Sequence, residues 1–443
     1  MMMDPLVIGF TAIAVMLVLI LLSVPVAVAI TGVALIGLWY VGGTNLALST
    51  VEGVPYQFAS RYGFVVIPMF ILMGAFAEIS GITKDFYEFF YRTIGRVRGG
   101  LLMVTTLTSA GFAAISGSTV VNAVVFTRLA LPQMIDFGYN RAIAAGCIAA
   151  AGTFAALIPP SIIMVVYALL TGQSIGTLLI AGVVPGVMTA GAYLVGIFAL
   201  ATLRPDIAPI PTDRFTGREI LQSFYSIWAF ALLAFIVIGG IYTGAMFPSS
   251  AGAVGAAGAF LILLARGWLR RDMPSMGRIG NAMRQTATMS AALFLVIIAG
   301  LMLSRLFVFS GFVDEIVWFI EGLDVSPMLV FLIIALMYIV LGCFMDPISM
   351  VVVTVPFIFP IVTGLGFDPI WFGVIMVKLV EIGVLTPPVG LNLFAVVAAA
   401  RKQISSGQMF LGVLPFLAIE LVVLSLLIAF PQIVLWLPAL MHS

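Results

Sequence analysis

The sequence predicts an all-α polytopic membrane protein: about 11 transmembrane helices plus two re-entrant helical hairpins, set in two inverted-topology repeats. Three observations carry that prediction. The first is composition. Of 443 residues, 63% are apolar and only 8% are charged, where a soluble domain averages roughly 45–50% and 25%. So few charges cannot cover the wet surface of a fold this size. The second is run length: apolar stretches continue over about 18–25 residues, where a barrel strand would alternate over roughly ten. The third is an internal repeat. At an offset of 228 residues, Pro159-Pro160 falls on Pro387-Pro388, Pro132 on Pro360, Gly138 on Gly366 and Ser118 on Asp346. At an offset of 230, Ser80-Gly81 falls on Ser310-Gly311.

The same composition excludes other classes. With 19 Lys+Arg against 18 Asp+Glu, no basic excess is available for phosphates, so no nucleic acid is expected as a partner. The one histidine is His442, and Cys147 and Cys343 stand alone, so zinc sites and histidine proton relays lack ligands. There is no GxxxxGK[ST] loop, which removes the common ATPase signature. No enzymatic activity, no ATP and no organic cofactor are expected. The start, Met1-Met2-Met3-Asp4, lacks a basic n-region, so the first apolar run reads as a retained span.

Each half reads as three spans, an amphipathic piece, a hairpin, a broken span and a final span. In the first half the spans are 5–23, 25–41 and, after a polar stretch to Arg61, 64–80. Residues 82–98 differ: Ile82, Phe86, Phe89, Phe90 and Val97 recur at helical spacing between Lys84, Arg92, Arg96 and Arg98, as in an interfacial helix. The run 101–134 is too long for one span and breaks at Ser116-Gly117-Ser118, hence a hairpin. Residues 141–170 form a span broken at Pro159-Pro160, and 175–203 the last span. A polar linker, 204–219, divides the halves. The second half repeats the plan with spans 224–243, 250–265 and 286–308, then an acidic amphipathic piece, 311–324. A hairpin follows at 327–362, broken at Asp346-Pro347, then a span 369–400 broken at Pro387-Pro388, and a final span 409–430.

Charge orients this layout. An outer N-terminus places 15 of the 19 Lys and Arg residues on the inner side and only Arg61 outside, as the positive-inside rule requires. Arg128, Arg305 and Lys378 fall within spans, and Asp314, Glu315, Glu321 and Asp324 lie outside. The first repeat then starts outside and the second inside. Inverted repeats with discontinuous helices mark secondary transporters. A broken helix presents free N–H groups at one end, which favour anions, and free carbonyls at the other, which favour cations.

The breaks supply the candidate residues. Ser116, Gly117, Ser118, Thr119 and Asn122 offer neutral oxygens for Na⁺ and donors for a carboxylate, or else interhelical bonds and caps. Gly152, Thr153, Pro159, Pro160 and Ser161 form the second break, or a simple proline kink. Gly342, Asp346, Pro347 and Ser349 form the third. A carboxylate at membrane depth costs about 2.5–3.5 kcal/mol on insertion scales, so Asp346 either meets a cation or substrate group, pairs with Arg128, or caps a half-helix. Gly383, Thr386, Pro387, Pro388, Gly390 and Asn392 form the fourth. Lys378 and Glu381 read as a buried ion pair. Glu78 and Glu420 are weaker candidates, equally explained by helix-end solvation or contact with another subunit.

The segments ISGSTVVNAVVF (115–126), GTFAALIPPSIIMVVYALLTGQSIG (152–176) and EIGVLTPPVGLNLF (381–394) resemble the large membrane (M) subunit of tripartite ATP-independent periplasmic (TRAP) transporters, along nearly the whole chain. The length fits an unfused M subunit. The resemblance implies Na⁺-coupled uptake of an organic acid such as a C4-dicarboxylate, a 2-oxo acid or sialic acid. It also implies an elevator-type ion-transporter fold in a bacterial inner membrane, N-terminus periplasmic, with two or more Na⁺ sites. Partners would be a four-helix Q subunit, a periplasmic substrate-binding protein (the P subunit) and the lipid bilayer. Scaffold helices would be 1–81 and 220–310, arm helices 82–98 and 311–324, transport-domain halves 99–203 and 325–443, with 204–219 a cytoplasmic linker. Carried over, Na⁺ falls at Ser116, Ser118, Gly152 and Pro159, and at Gly342, Asp346, Gly383 and Thr386. Substrate falls near Ser118, Thr119, Asn122, Ser161, Asp346, Pro388 and Asn392. The competing expectation is a binding-protein-independent Na⁺/dicarboxylate symporter of related architecture.

Overall fold

The computed structural model describes residues 4–322, 325–401 and 403–440, and their only regular secondary structure is helical. Asp324, Lys402 and His442 lie outside the described residues. Helix α1 (Pro5–Leu21) starts on Asp4, whose carboxylate accepts from the Leu6 amide at 2.8 Å. Helix α2 (Val26–Ser60) runs through the segment read above as a polar stretch. It is broken at Gly43 (φ 72°), where the left-handed backbone suits glycine, and then resumes. Packing overrides polarity there: Phe58 lies against Phe64 and Phe294, at centroid distances of 3.8 and 5.1 Å. Helix α3 (Val66–Ile79) and the amphipathic helix α4 (Ile82–Ile94) follow.

The first hairpin is α5 (Gly100–Ser116) and α6 (Thr119–Leu129), turned at Gly117 (φ 61°). The broken span is α7 (Arg141–Gly152), a short turn Phe154–Leu157, and α8 (Ile162–Thr171). Helix α9 (Ile175–Leu203) closes the half. The predicted linker is helical from Gly217: α10 (Gly217–Ser226) opens with a reciprocal cap between Thr216 and Glu219 and meets α11 (Trp228–Tyr242) at a 40° bend. Then come α12 (Pro248–Arg270), α13 (Met276–Phe309) and a second amphipathic helix, α14 (Phe312–Gly322). The second hairpin is α15 (Pro327–Gly342) and α16 (Pro347–Gly364). The second broken span is α17 (Pro369–Leu385) and α18 (Leu391–Ala399). After α19 (Ser406–Ala429), the chain adds a short helix the sequence reading stops short of, α20 (Gln432–Ala439), packed against α9 and α17.

Among the described residues, eight helices are long and apolar enough to cross a membrane, or nine if the bent pair α10–α11 counts as one. The eight include α16, one arm of the second hairpin, and leave out α1, which has only 17 residues, and the second broken span, which is split between α17 and α18. Large apolar side chains such as Ile36, Val195, Leu261, Leu336 and Val422 are exposed, as a hydrocarbon surrounding permits. Gly81 and Gly311, paired in the sequence repeat, both take left-handed backbone (φ 76° and 74°) immediately before an amphipathic helix, so that landmark recurs where glycine is favoured.

Helix α2 packs along α13, and α3 along α12, where Gly252 and Gly255 admit Met69, Phe70 and Met73. Elsewhere α7 packs along α19 at a Gly146–Gly412 contact, and α17 sits at the centre with every residue from Trp371 to Leu385 buried. On α4, Asp85 pairs with Arg266 and, at 2.8 Å, with Arg270 of α12.

Candidate functional site

Four helix N-termini start at the four breaks. Ser118 caps α6 by accepting from Val121 N (3.5 Å), and Ser161 caps α8 by accepting from Met164 N (3.2 Å). Asp346 caps α16, its Oδ1 accepting from Ile348 N (3.1 Å) and Ser349 N (3.0 Å). Only α18 of these four begins without a side-chain cap, at Gly390. Four helices end at the same breaks: α5, the turn Phe154–Leu157, α15 and α17. The breaks thus hold donors and carbonyl ends side by side.

Close backbone approach joins each tip to its broken span. A Cβ on Gly117 would lie 2.8 Å from Pro160 O. One on Gly342 would lie 2.6 Å from Gly383 Cα, and one on Gly383 2.7 Å from Gly342 Cα. Gly390 N donates to Cys343 O at 3.2 Å. A Cβ on Gly152 would come within 2.9 Å of Ala123 Cβ. Both repeats also meet: Asn392 Nδ2 donates to Ala149 O at 3.4 Å, and α18 packs on α6 and α7.

The predicted residues fall into two groups. Ser116, Ser118, Thr119, Gly152, Pro159 and Ser161 surround the first tip; Gly342, Asp346, Gly383, Thr386 and Pro388 surround the second. Asn122 is committed within the protein: Nδ2 donates to Ser109 O (3.2 Å) and Gly152 O (3.4 Å), and Oδ1 accepts from Ser109 Oγ (3.0 Å). It clamps the hairpin to the broken span. Ser161 Oγ donates to Ala156 O, and Thr386 Oγ1 to Ile382 O at 2.7 Å. Ser116 Oγ and Asn392 Oδ1 are buried without a partner. Of the readings left open for Asp346, capping is observed and no ion pair with Arg128 is present among the described residues; capping uses only Oδ1. A cavity of about 40 Å³ touches Glu78, Ser116, Ser118, Gln285 and Thr286, room for a water or bare ion and not for an organic acid. The sequence reading passes over Thr286, one of three hydroxyls with Thr288 and Ser290 that open its span; its Oγ1 is buried without a partner.

One cluster lies deeper. Lys378 Nζ sits 2.8 Å from Glu381 Oε2, 2.5 Å from Glu420 Oε2 and 3.2 Å from Thr189 Oγ1, and Tyr193 donates to Glu420 Oε1 at 2.6 Å. All three charged side chains are fully buried. The Lys378–Glu381 pair is as read. Glu420 is not: it faces inward, away from helix-end solvent and from any neighbouring subunit, because α19 packs against α17 and α9 on the side that holds Lys378.

Residues 13–433 match the model of the family described as the tripartite ATP-independent periplasmic transporter, DctM component. The chain belongs to this family. The TRAP large permease DctM of Pseudomonas aeruginosa, named for C4-dicarboxylates, is 34% identical over 86% of this chain and 88% of its own. The sialic acid TRAP large permease SiaM of Vibrio cholerae is 28% identical over 86% and 87%. Among solved structures, the YdaH transporter of Alcanivorax borkumensis superposes with a TM-score of 0.65 over 88% of this chain and 90% of its own, at 15% identity, a likeness of fold. This TRAP permease is therefore a multi-pass membrane protein whose named relatives are transporter permeases.

Proposed function

We propose that this TRAP permease couples inward Na⁺ movement to uptake of an organic acid, carried at the four helix breaks by an elevator motion. The observation that carries the reading is the meeting of all four breaks, held by Gly117–Pro160, Gly342–Gly383, Cys343–Gly390 and Asn392–Ala149. Carbonyl ends and neutral hydroxyls there suit Na⁺, and helix N-termini suit a carboxylate. Na⁺ would lie at Ser116, Ser118, Gly152 and Pro159 in one repeat, and at Gly342, Asp346, Gly383 and Thr386 in the other. Substrate would contact Ser118, Thr119, Ser161, Asp346, Pro388 and Asn392; Asn122 would hold the tip in shape. Packing of α2 on α13 and α3 on α12 makes the scaffold, and the helices around α17 make the moving body.

The membrane is proposed to be the bacterial inner membrane, N-terminus outside, with a small Q subunit and a periplasmic binding protein as partners. The named relatives support a C4-dicarboxylate or sialic acid as the first substrates to try. The test is uptake into proteoliposomes, varying the Na⁺ gradient, the Q subunit and the binding protein. Uptake that needs all three is expected. Uptake undiminished when K⁺ replaces Na⁺ would end the coupling claim, and uptake by this chain alone would favour a binding-protein-independent symporter.

A further inference from the structure

Two arginines share one cavity between α2 and α13. The cavity, about 170 Å³, is lined by Gln57, Phe58, Arg61, Phe64, Ser304 and Arg305 among others, and shares no residue with the four helix breaks. Arg305, placed by the sequence reading within a span, is half-buried one turn before the end of α13. Its Nη2 donates to Gln57 Oε1 at 3.3 Å. No carboxylate among the described residues stands within ion-pair distance of Arg61 or Arg305. Lysines so placed could relieve their repulsion by losing a proton; guanidinium groups cannot. Two fixed positive charges facing one pocket call for an anion. The remaining groups agree with that sign. Gln57 Oε1 is taken by Arg305, which leaves its amide N–H groups to donate, and Ser304 adds a hydroxyl. The volume, several waters' worth, fits a small carboxylate or a phosphate group.

We propose that Arg61 and Arg305, with Gln57 and Ser304, form an oxyanion-binding site for a carboxylate or phosphate group, either a free anion or a lipid headgroup. The outer-side location of this site rests on the orientation proposed above; the site itself does not. Paired guanidinium groups bind such oxygens through charge-assisted bonds of fixed geometry.

The test uses the full chain in nanodiscs of zwitterionic lipid without Na⁺. Inorganic phosphate is titrated calorimetrically, and retained phosphatidylglycerol is counted by native mass spectrometry after exposure to it. The double variant R61Q/R305Q is expected to weaken one or both by roughly tenfold or more. Ser304→Phe, which fills the cavity and keeps both charges, should do the same with an unchanged size-exclusion profile. A loss confined to phosphate assigns a soluble ligand; a loss confined to phosphatidylglycerol assigns a headgroup. Equal binding of both probes by wild type and double variant, or binding of neither by wild type, overturns the site. A wild-type chain that fails Na⁺-dependent uptake but passes this test would overturn the transport reading alone.

Discussion

At the scale of single residues, Asp346 and Lys378 separate two reasons for a charge inside a membrane protein. Asp346 caps α16, and an asparagine caps nearly as well, whereas alanine costs about 0.5–2 kcal/mol. If the carboxylate also ligates Na⁺, Asp346→Asn should abolish Na⁺-dependent uptake while thermal unfolding stays close to wild type. Asp346→Ala should abolish uptake and lower the unfolding temperature slightly, with expression intact. Wild-type uptake by the asparagine variant would reduce Asp346 to a cap. Lys378 is the opposite case. Its ammonium is the cation of a fully buried cluster with Glu381 and Glu420, and removing one partner of such a group leaves buried charge uncompensated, at about 3–5 kcal/mol. Lys378→Met should therefore destabilise the fold in calorimetry or a thermal-shift assay, and neutralising both glutamates in the same chain should recover much of the loss.

At the scale of elements, the tip of the second hairpin depends on two glycines meeting across α15 and α17. A methyl on Gly383 would stand 2.7 Å from Gly342 Cα, with backbone on both sides and nothing flexible to yield. Gly383→Ala should push the tip off the broken span, cost about 1–3 kcal/mol and slow uptake by roughly tenfold or more through displaced ligands. A half-saturation for Na⁺ equal to wild type would show that this contact does not shape the site. Elements like these were legible in the sequence because glycine, proline and Ser/Asp caps stand where backbone geometry demands them, and the repeat gave each landmark twice. What stayed hidden was tertiary. Residues 44–60 read as polar until α13 covers them, through Phe294 on Phe58 and Arg305 on Gln57. Glu420 looks like a helix-end charge until α17 brings Lys378 to it. Asn122 looks like a ligand until Ser109 and Gly152 occupy both ends of its amide. A one-dimensional pattern holds no record of which distant side chain completes a buried polar group.

At the scale of the whole molecule, an elevator requires the second hairpin to slide along the scaffold, and one contact makes that testable. Gly300 of α13 lies against Val352 of α16: a Cβ at Gly300 would sit 3.0 Å from Val352 O and 3.4 Å from Val352 Cβ. That is close to the Cβ–Cβ separation of about 3.5–4.5 Å that a disulfide uses. The native thiols, Cys147 and Cys343, are both free and can be replaced by alanine and serine, so that a Gly300→Cys, Val352→Cys pair forms the only crosslink. Oxidation would then fix α16 to α13 in the arrangement seen here, and a bridge spans too little to accommodate sliding by even one helical turn, about 5.4 Å. Uptake in proteoliposomes is expected to fall to background on oxidation and to return on reduction, while the reduced pair alone transports. Binding of Na⁺ or substrate, read by thermal shift, should survive oxidation, because neither Gly300 nor Val352 belongs to the four breaks. Full cycling in the oxidised state would rule out rigid sliding of the hairpin past α13 and leave a gate local to the tips as the moving part.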